Sequence, residues 1–131
     1  RVQLLGMVVF LQIFYPKQAG RFKSNTAVTA ASDSTVDWLL EKGFKNVVLD
    51  VCNECDWQDN QRFMGHLGSL FWPKHGQLLD HIRQRSIAGG HQLIVATAFI
   101  GGSVPADDTY QHLDYVNLHA NNLWQWKDGS L

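Results

Sequence analysis

Short apolar runs alternate with amphipathic segments along this sequence, and that alternation constrains the fold more than any other feature. The runs predict strands at Met7–Tyr15, Asn46–Cys52 and Gln92–Phe99, and a shorter fourth strand at Tyr115–His119. Runs that are apolar at nearly every position are typical of strands in a parallel sheet that is covered on both faces. We therefore expect an α/β fold built from parallel strands with crossover helices.

The first connection carries a helical pattern. A helix is predicted over Asn25–Lys42, because its apolar residues fall on one broad face and Gly43 follows where a helix commonly ends. A later start at Ser34, with Asp37 as the partner in a capping box, is an alternative.

The second connection also carries a helical pattern. It predicts a helix over Gly76–Ile87, which the pair Gly89-Gly90 closes, and a short helix is expected after Pro105. Neither an internal repeat nor a linker interrupts the sequence. Residues 1–131 are therefore interpreted as a single domain.

The charge balance argues against two classes of partner. The chain of 131 residues has 11 basic and 12 acidic side chains, with no basic stripe for a nucleic acid to bind. Its longest apolar run, Gly6–Tyr15, is far shorter than the roughly 18 residues that a membrane-spanning helix requires. We expect neither nucleic acid nor membrane as a partner, and the sequence does not indicate a compartment.

The only two cysteines, Cys52 and Cys55, form a CxxC pair. A structural zinc site needs about four ligands, and the sequence contains no second CxxC motif. A redox pair normally lies at the start of a helix, whereas Cys52 is still part of a predicted strand. We expect structural thiols, with a redox or metal-binding α/β domain as an alternative. The six histidines show no metal-ligand spacing, so no metal is expected.

An Asn-Glu pair ends the second predicted strand. Asn53 and Glu54 follow the buried run directly, at the carboxyl end of the strand, where barrel enzymes hold their catalytic groups. A partly desolvated carboxyl is suited to proton transfer, and the amide of Asn53 can hydrogen-bond a substrate hydroxyl. The alternative is an ordinary loop acid that follows a turn-forming asparagine.

Four segments together resemble a known family. Gly6–Tyr15, Trp38–Glu54, Leu93–Gly102 and Asp114–His119 are similar to the third to sixth strands of a cellulase-like glycoside hydrolase. That family has a (β/α)8 barrel, belongs to a large retaining clan, and ends its fourth strand in Asn-Glu. The resemblance covers most of the chain.

The resemblance implies a retaining hydrolase of β-linked polysaccharides or oligosaccharides, without a cofactor. Glu54 would be the general acid/base, and Asn53 would contact the sugar hydroxyl beside the scissile bond. The nucleophile of the family is a second Glu after the seventh strand. Asp50 cannot replace it, because four residues of extended strand place it roughly 13 Å from Glu54, against the roughly 5–5.5 Å that retention needs.

The resemblance also bears on domain content. A whole barrel has eight strands, whereas four are predicted here, so residues 1–131 are interpreted as a partial (β/α)8 TIM barrel that lacks the nucleophile. Such a domain would need the rest of the barrel, as missing segments or as another copy.

Further candidate contacts to a carbohydrate lie near the predicted strand ends. They are His119, Gln18, Trp57 and Trp72. Aromatic rings can stack on the apolar faces of sugars, and each of these side chains could instead serve packing. A non-catalytic carbohydrate-binding or structural relative that kept the barrel remains the main alternative.

Overall fold

The computed structural model describes residues 5–15, 21–54, 75–99 and 107–119. These ranges form a small mixed α/β domain, in which every strand pair is parallel. The predicted alternation of strands and helices is confirmed. The elements are β1 (Val9–Phe14), α1 (Asn25–Glu41), β2 (Val47–Cys52), α2 (His75–Ala88), β3 (Ile94–Ala96), β4 (Ala98–Phe99), α3 (Asp107–Tyr110) and β5 (Asn117–Leu118).

The strands lie side by side in the order in which they occur in the chain. β1, β2 and β3 form a three-stranded sheet with β2 at its centre, and β4 and β5 form a two-stranded sheet. Gln12 of β1 is in register with Asp50 of β2, which is in register with Ala96 of β3. The carboxyl ends of these strands therefore meet at one edge of the sheet.

The third predicted strand, Gln92–Phe99, is interrupted at Thr97 and divided between the two sheets. A buried side chain takes the place of the regular ladder there, because the Asp50 carboxylate accepts the hydrogen bond of the Ala98 amide at 3.1 Å. The Thr97 hydroxyl in turn donates to the carbonyl of Cys52 at 3.0 Å. The interruption is thus stabilised by polar groups of β2.

Helix α1 begins at the earlier of the two predicted starts. Ser24 is the N-cap, and its hydroxyl accepts a hydrogen bond from the amide of Ala27 at 3.2 Å. The alternative start at Ser34 is wrong. Ser34 lies within the helix, where its hydroxyl donates to the carbonyl of Ala30.

Both long helices end in the same Schellman motif. Gly43 and Gly90 adopt positive φ angles of 66° and 90°, which glycine tolerates best. The residue after each glycine, Phe44 or His91, donates its amide to a carbonyl in the last turn of the helix. The two predicted glycine terminators are confirmed, and each motif directs the chain toward the next strand.

The hydrophobic core lies between the sheet and the two long helices. It combines alternate residues of the central strand with one face of each helix. The fully buried members include Leu49 and Val51 of β2, Val28, Val36 and Leu39 of α1, and Leu79 and Ile82 of α2. No helix in the described ranges has the length and apolar character needed to cross a bilayer.

The opposite face of the sheet is also apolar, and it is exposed at the two outer strands although the central strand is buried. Phe10, Val48 and Ile94 form one row across the three strands, and the outer two are 64% and 49% exposed. We call Phe10, Val48 and Ile94 the open sheet face.

Candidate functional site

The strand ladder positions both residues that the sequence singled out at the end of β2. The amide of Asn53 donates to the carbonyl of Phe14 at 3.1 Å, which extends the pairing of β1 and β2 by one residue. Glu54 then leaves the strand direction with a φ angle of +45°, in the left-handed region that only a few per cent of residues other than glycine adopt. Such strained residues cluster at functional sites.

The carboxyl of Glu54 contacts a histidine from the end of the last described strand. His119 Nδ1 lies 2.7 Å from Glu54 Oε1, and the two side chains are 28% and 16% exposed. The amide of His119 donates to the carbonyl of Phe99, so this residue too is held by an extended strand pairing. A hydrogen bond of this length requires a proton on one of the two groups. The contact joins the carboxyl ends of β2 and β5.

A second polar cluster surrounds the buried carboxyl of Asp50, four residues before Glu54 in the chain. Asn117 Nδ2 and Gln12 Nε2 donate to Asp50 Oδ2 at 3.0 and 3.2 Å, and the amide of Ala98 donates to Oδ1. Gln12 Nε2 also lies 3.4 Å from Asn53 Oδ1. The cluster thus links three strands to the Asn-Glu pair above it.

Burial is the main cause of the pKa shifts in this second cluster. Desolvation raises the pKa of Asp50 above its usual range, although the hydrogen bonds from Asn117, Gln12 and Ala98 oppose that rise. Burial, together with the charge of Asp50, also raises the pKa of Tyr115 to about 12. The Tyr115 hydroxyl is buried without a hydrogen-bond partner among the described residues, and its ring packs edge-on against Phe10.

Cys52 is disulfide-bonded, so the expectation of a structural thiol is wrong for this residue. The other cysteine of the sequence, Cys55, lies outside the described residues. The bonded Cys52 is the residue immediately before Asn53 and Glu54 and is completely buried. Its side chain belongs to the hydrophobic core at the end of β2.

The predicted site residues divide into two groups. Glu54, Asn53 and His119 lie together at the carboxyl edge of the sheet, and Glu54 contacts His119 directly. Gln18, Trp57 and Trp72 lie outside the described residues. Within the part of the chain that the structure describes, no group of three potential metal ligands lies together.

Sequence reasoning did not predict the cluster of Gln12, Asp50 and Asn117. The sequence does contain a signal for it, because each of these residues is a single polar side chain within an otherwise apolar strand. A buried polar group must find a partner, so isolated polar residues in neighbouring buried strands indicate a shared hydrogen-bond network.

Known proteins give no further guide to this site. A scan against models of protein families found no match, and a search of curated proteins found no relative. The fold and the arrangement of side chains define a mixed α/β domain with parallel strands and a polar site at their carboxyl ends.

Proposed function

We propose that this chain is part of a retaining glycoside hydrolase and that Glu54 is its general acid/base. The observation that carries the proposal is the hydrogen bond between Glu54 and His119, at the carboxyl ends of two parallel strands. The proposal agrees with the resemblance to the cellulase-like family, in which an Asn-Glu pair ends the fourth strand. The substrate would be a β-linked polysaccharide or oligosaccharide.

The chemistry asked of Glu54 is proton transfer in two directions. In the first step, the protonated carboxyl would give its proton to the leaving glycosidic oxygen while a carboxylate nucleophile attacks the sugar. In the second step, the carboxylate would accept a proton from the water that releases the sugar. His119 supports both roles, because its Nδ1 atom lies within hydrogen-bond distance of Glu54 Oε1 and can share the proton that this carboxyl transfers.

The nucleophile must be a second carboxylate about 5–5.5 Å from Glu54. In the family that the chain resembles, this carboxylate follows the seventh barrel strand, beyond the four strands predicted here. The proposal therefore assigns the nucleophile to a part of the barrel other than the described sheet.

The open sheet face supports the barrel interpretation. Parallel strands are nearly always covered on both faces, and helices α1 and α2 cover only one face of this sheet. In a closed (β/α)8 barrel, the second face is filled by side chains from the remaining strands. Exposed residues such as Phe10 and Ile94 are suited to that interior. We infer that the described elements are the third to sixth strands of such a barrel.

The test compares two leaving groups in the full-length protein. Glu54→Gln keeps the size of the side chain but cannot donate a carboxyl proton, so hydrolysis of a methyl β-cellobioside should fall by about 10²-fold or more. A dinitrophenyl β-cellobioside needs little protonation of its leaving group, so its cleavage step should suffer much less. Glu41→Gln is the matched control, because Glu41 is exposed at the end of α1 and, among the described residues, pairs with Lys42 alone.

Either of two results would contradict the assignment. Full activity in Glu54→Gln would exclude Glu54 as the acid/base. Equal losses on both substrates would show that the side chain does something other than protonate the leaving group. Cellobiose binding without any hydrolysis by the wild-type protein would instead identify a non-catalytic, carbohydrate-binding relative.

A further inference from the structure

The buried carboxylate of Asp50 is surrounded by hydrogen-bond donors. Its two oxygens accept bonds from Asn117 Nδ2, Gln12 Nε2 and the amide of Ala98, at 3.0 to 3.2 Å. Three N–H groups that converge on two oxygens are the pattern expected for an ionised carboxylate, which accepts hydrogen bonds and donates none.

This carboxylate fixes the orientation of the Gln12 amide. A side-chain amide has a donor end and an acceptor end of similar shape, and its orientation follows from its partners. Since Asp50 only accepts, the end of Gln12 that faces it must be the nitrogen. The opposite orientation would place the Gln12 oxygen about 3 Å from a carboxylate oxygen, where both groups repel.

The orientation of Gln12 then determines that of Asn53. Gln12 Nε2 lies 3.4 Å from the Asn53 side chain, and a donor there requires the Asn53 oxygen. Asn53 Nδ2 consequently points away from Gln12. Its two hydrogens have no acceptor among the described residues, and the residue is half-buried beside Glu54.

We propose that Asp50 is a positioning residue that acts through Gln12 to turn the donor end of the Asn53 amide toward the substrate. The substrate half of this inference rests on the proposed glycosidase function. The 2-hydroxyl group of the sugar, which such enzymes bind beside the scissile bond, would be recognised as a hydrogen-bond acceptor. A sugar that carries an ammonium group at the same position only donates, so the site would discriminate against it.

We call the chain of hydrogen bonds from Asp50 through Gln12 to Asn53 the relay. Through it, Asp50 determines specificity without contacting the substrate. Asp50→Asn keeps the shape of the side chain, but while its oxygen accepts from the Ala98 amide, an NH2 donor replaces the acceptor that faces Gln12. The opposite orientation of the Gln12 amide is then favoured, and so is the opposite orientation of the Asn53 amide.

The first experiment measures discrimination between two substrates in the full-length protein. A nitrophenyl β-glucoside carries the 2-hydroxyl group, and a nitrophenyl β-glucosaminide carries an ammonium group in its place. Asp50→Asn should lower the ratio of their kcat/KM values by about tenfold, the worth of one properly directed hydrogen bond. Asp37→Asn, a change in an aspartate that pairs with Arg85 on the helical side, should leave the ratio unchanged.

A second variant keeps the test decisive if Asp50→Asn fails to fold. Gln12→Met is close in shape and removes the relay at an exposed strand position. It should lower the same ratio by a similar factor. Its combination with Asp50→Asn should lower the ratio no further, because both changes interrupt one chain of hydrogen bonds. Additive losses in the double variant would indicate two separate structural effects and overturn the relay.

A spectroscopic measurement separates the relay from the proposed function. In protein labelled with nitrogen-15 at asparagine side chains, the Asn53 amide protons should shift in both Asp50→Asn and Gln12→Met. If the wild-type protein hydrolyses neither glycoside but the Asn53 signals respond, the hydrolase proposal fails and the relay stands. Asn53 signals that do not change in either variant would overturn the relay, whatever the activity.

Discussion

Replacement of Ile94 by alanine tests whether the open sheet face is buried in the full-length protein. Ile94 is 49% exposed in the described domain, on the face of β3 that the helices do not cover. Full burial of an isoleucine side chain is worth about 1.5–3 kcal/mol, so a half-buried one contributes about 1 kcal/mol. If barrel strands cover this face, the change instead leaves a cavity and costs about 2–5 kcal/mol.

Ile87 provides the matched control for this prediction. It is 45% exposed, but it lies on helix α2, on a surface that faces outward in a barrel. Ile87→Ala should therefore cost less than about 1 kcal/mol, partly because alanine is the better helix former. Strand propensity contributes up to about 1 kcal/mol at Ile94, so the two costs must differ by more than that.

The measurement is the free energy of unfolding from urea titrations of both variants and the wild-type protein. We expect Ile94→Ala to be the more destabilising change by about 2 kcal/mol. Equal costs for the two variants would mean that the open sheet face stays open in the full-length protein. That result would refute the reasoning that leads from the apolar face to a closed barrel.

Two further predictions concern packing and pH. Gly76→Ala should destabilise the domain by about 1–3 kcal/mol in the same titration, because a Cβ atom would clash with the imidazole ring of His112, whose Nδ1 is held by Asp80 at 2.7 Å. Gly89→Ala is the control and should cost less, because its Cβ would meet the end of the Leu40 side chain, which can rotate away. Equal costs for the two variants would contradict this explanation. The second prediction concerns Asp50, whose pKa is raised in the folded state, so that its protonated form favours folding. The stability that the protonated form contributes is fully present below pH 3.8. It is lost as the pH rises through the raised pKa. Asp50→Asn should lack this decline in urea titrations at a series of pH values, and parallel curves for variant and wild type would show that Asp50 does not cause it.

Patterns local in the sequence predicted the elements of this fold well. The 3.6-residue period located both long helices, and Gly43 marked the end of α1 because a positive φ angle costs glycine little. The strands were predicted one to three residues too long in total, with most of the excess at their amino ends. The break at Thr97 was not predicted, because it depends on Asp50, which is 48 residues away from its partner Ala98.

The candidate site shows the same division between local and distant information. The sequence by itself placed Asn53 and Glu54 at the carboxyl end of a buried strand, since a run of apolar residues fixes where a strand ends. Only the tertiary structure brought His119, 65 residues further along the chain, to the Glu54 carboxyl, and Gln12 and Asn117 to Asp50. These contacts depend on the register of parallel strands, which is set by the packing of helices against the sheet. Register is specified where the apolar side chains of each strand must face the core, so it depends on contacts between segments that are distant in the sequence.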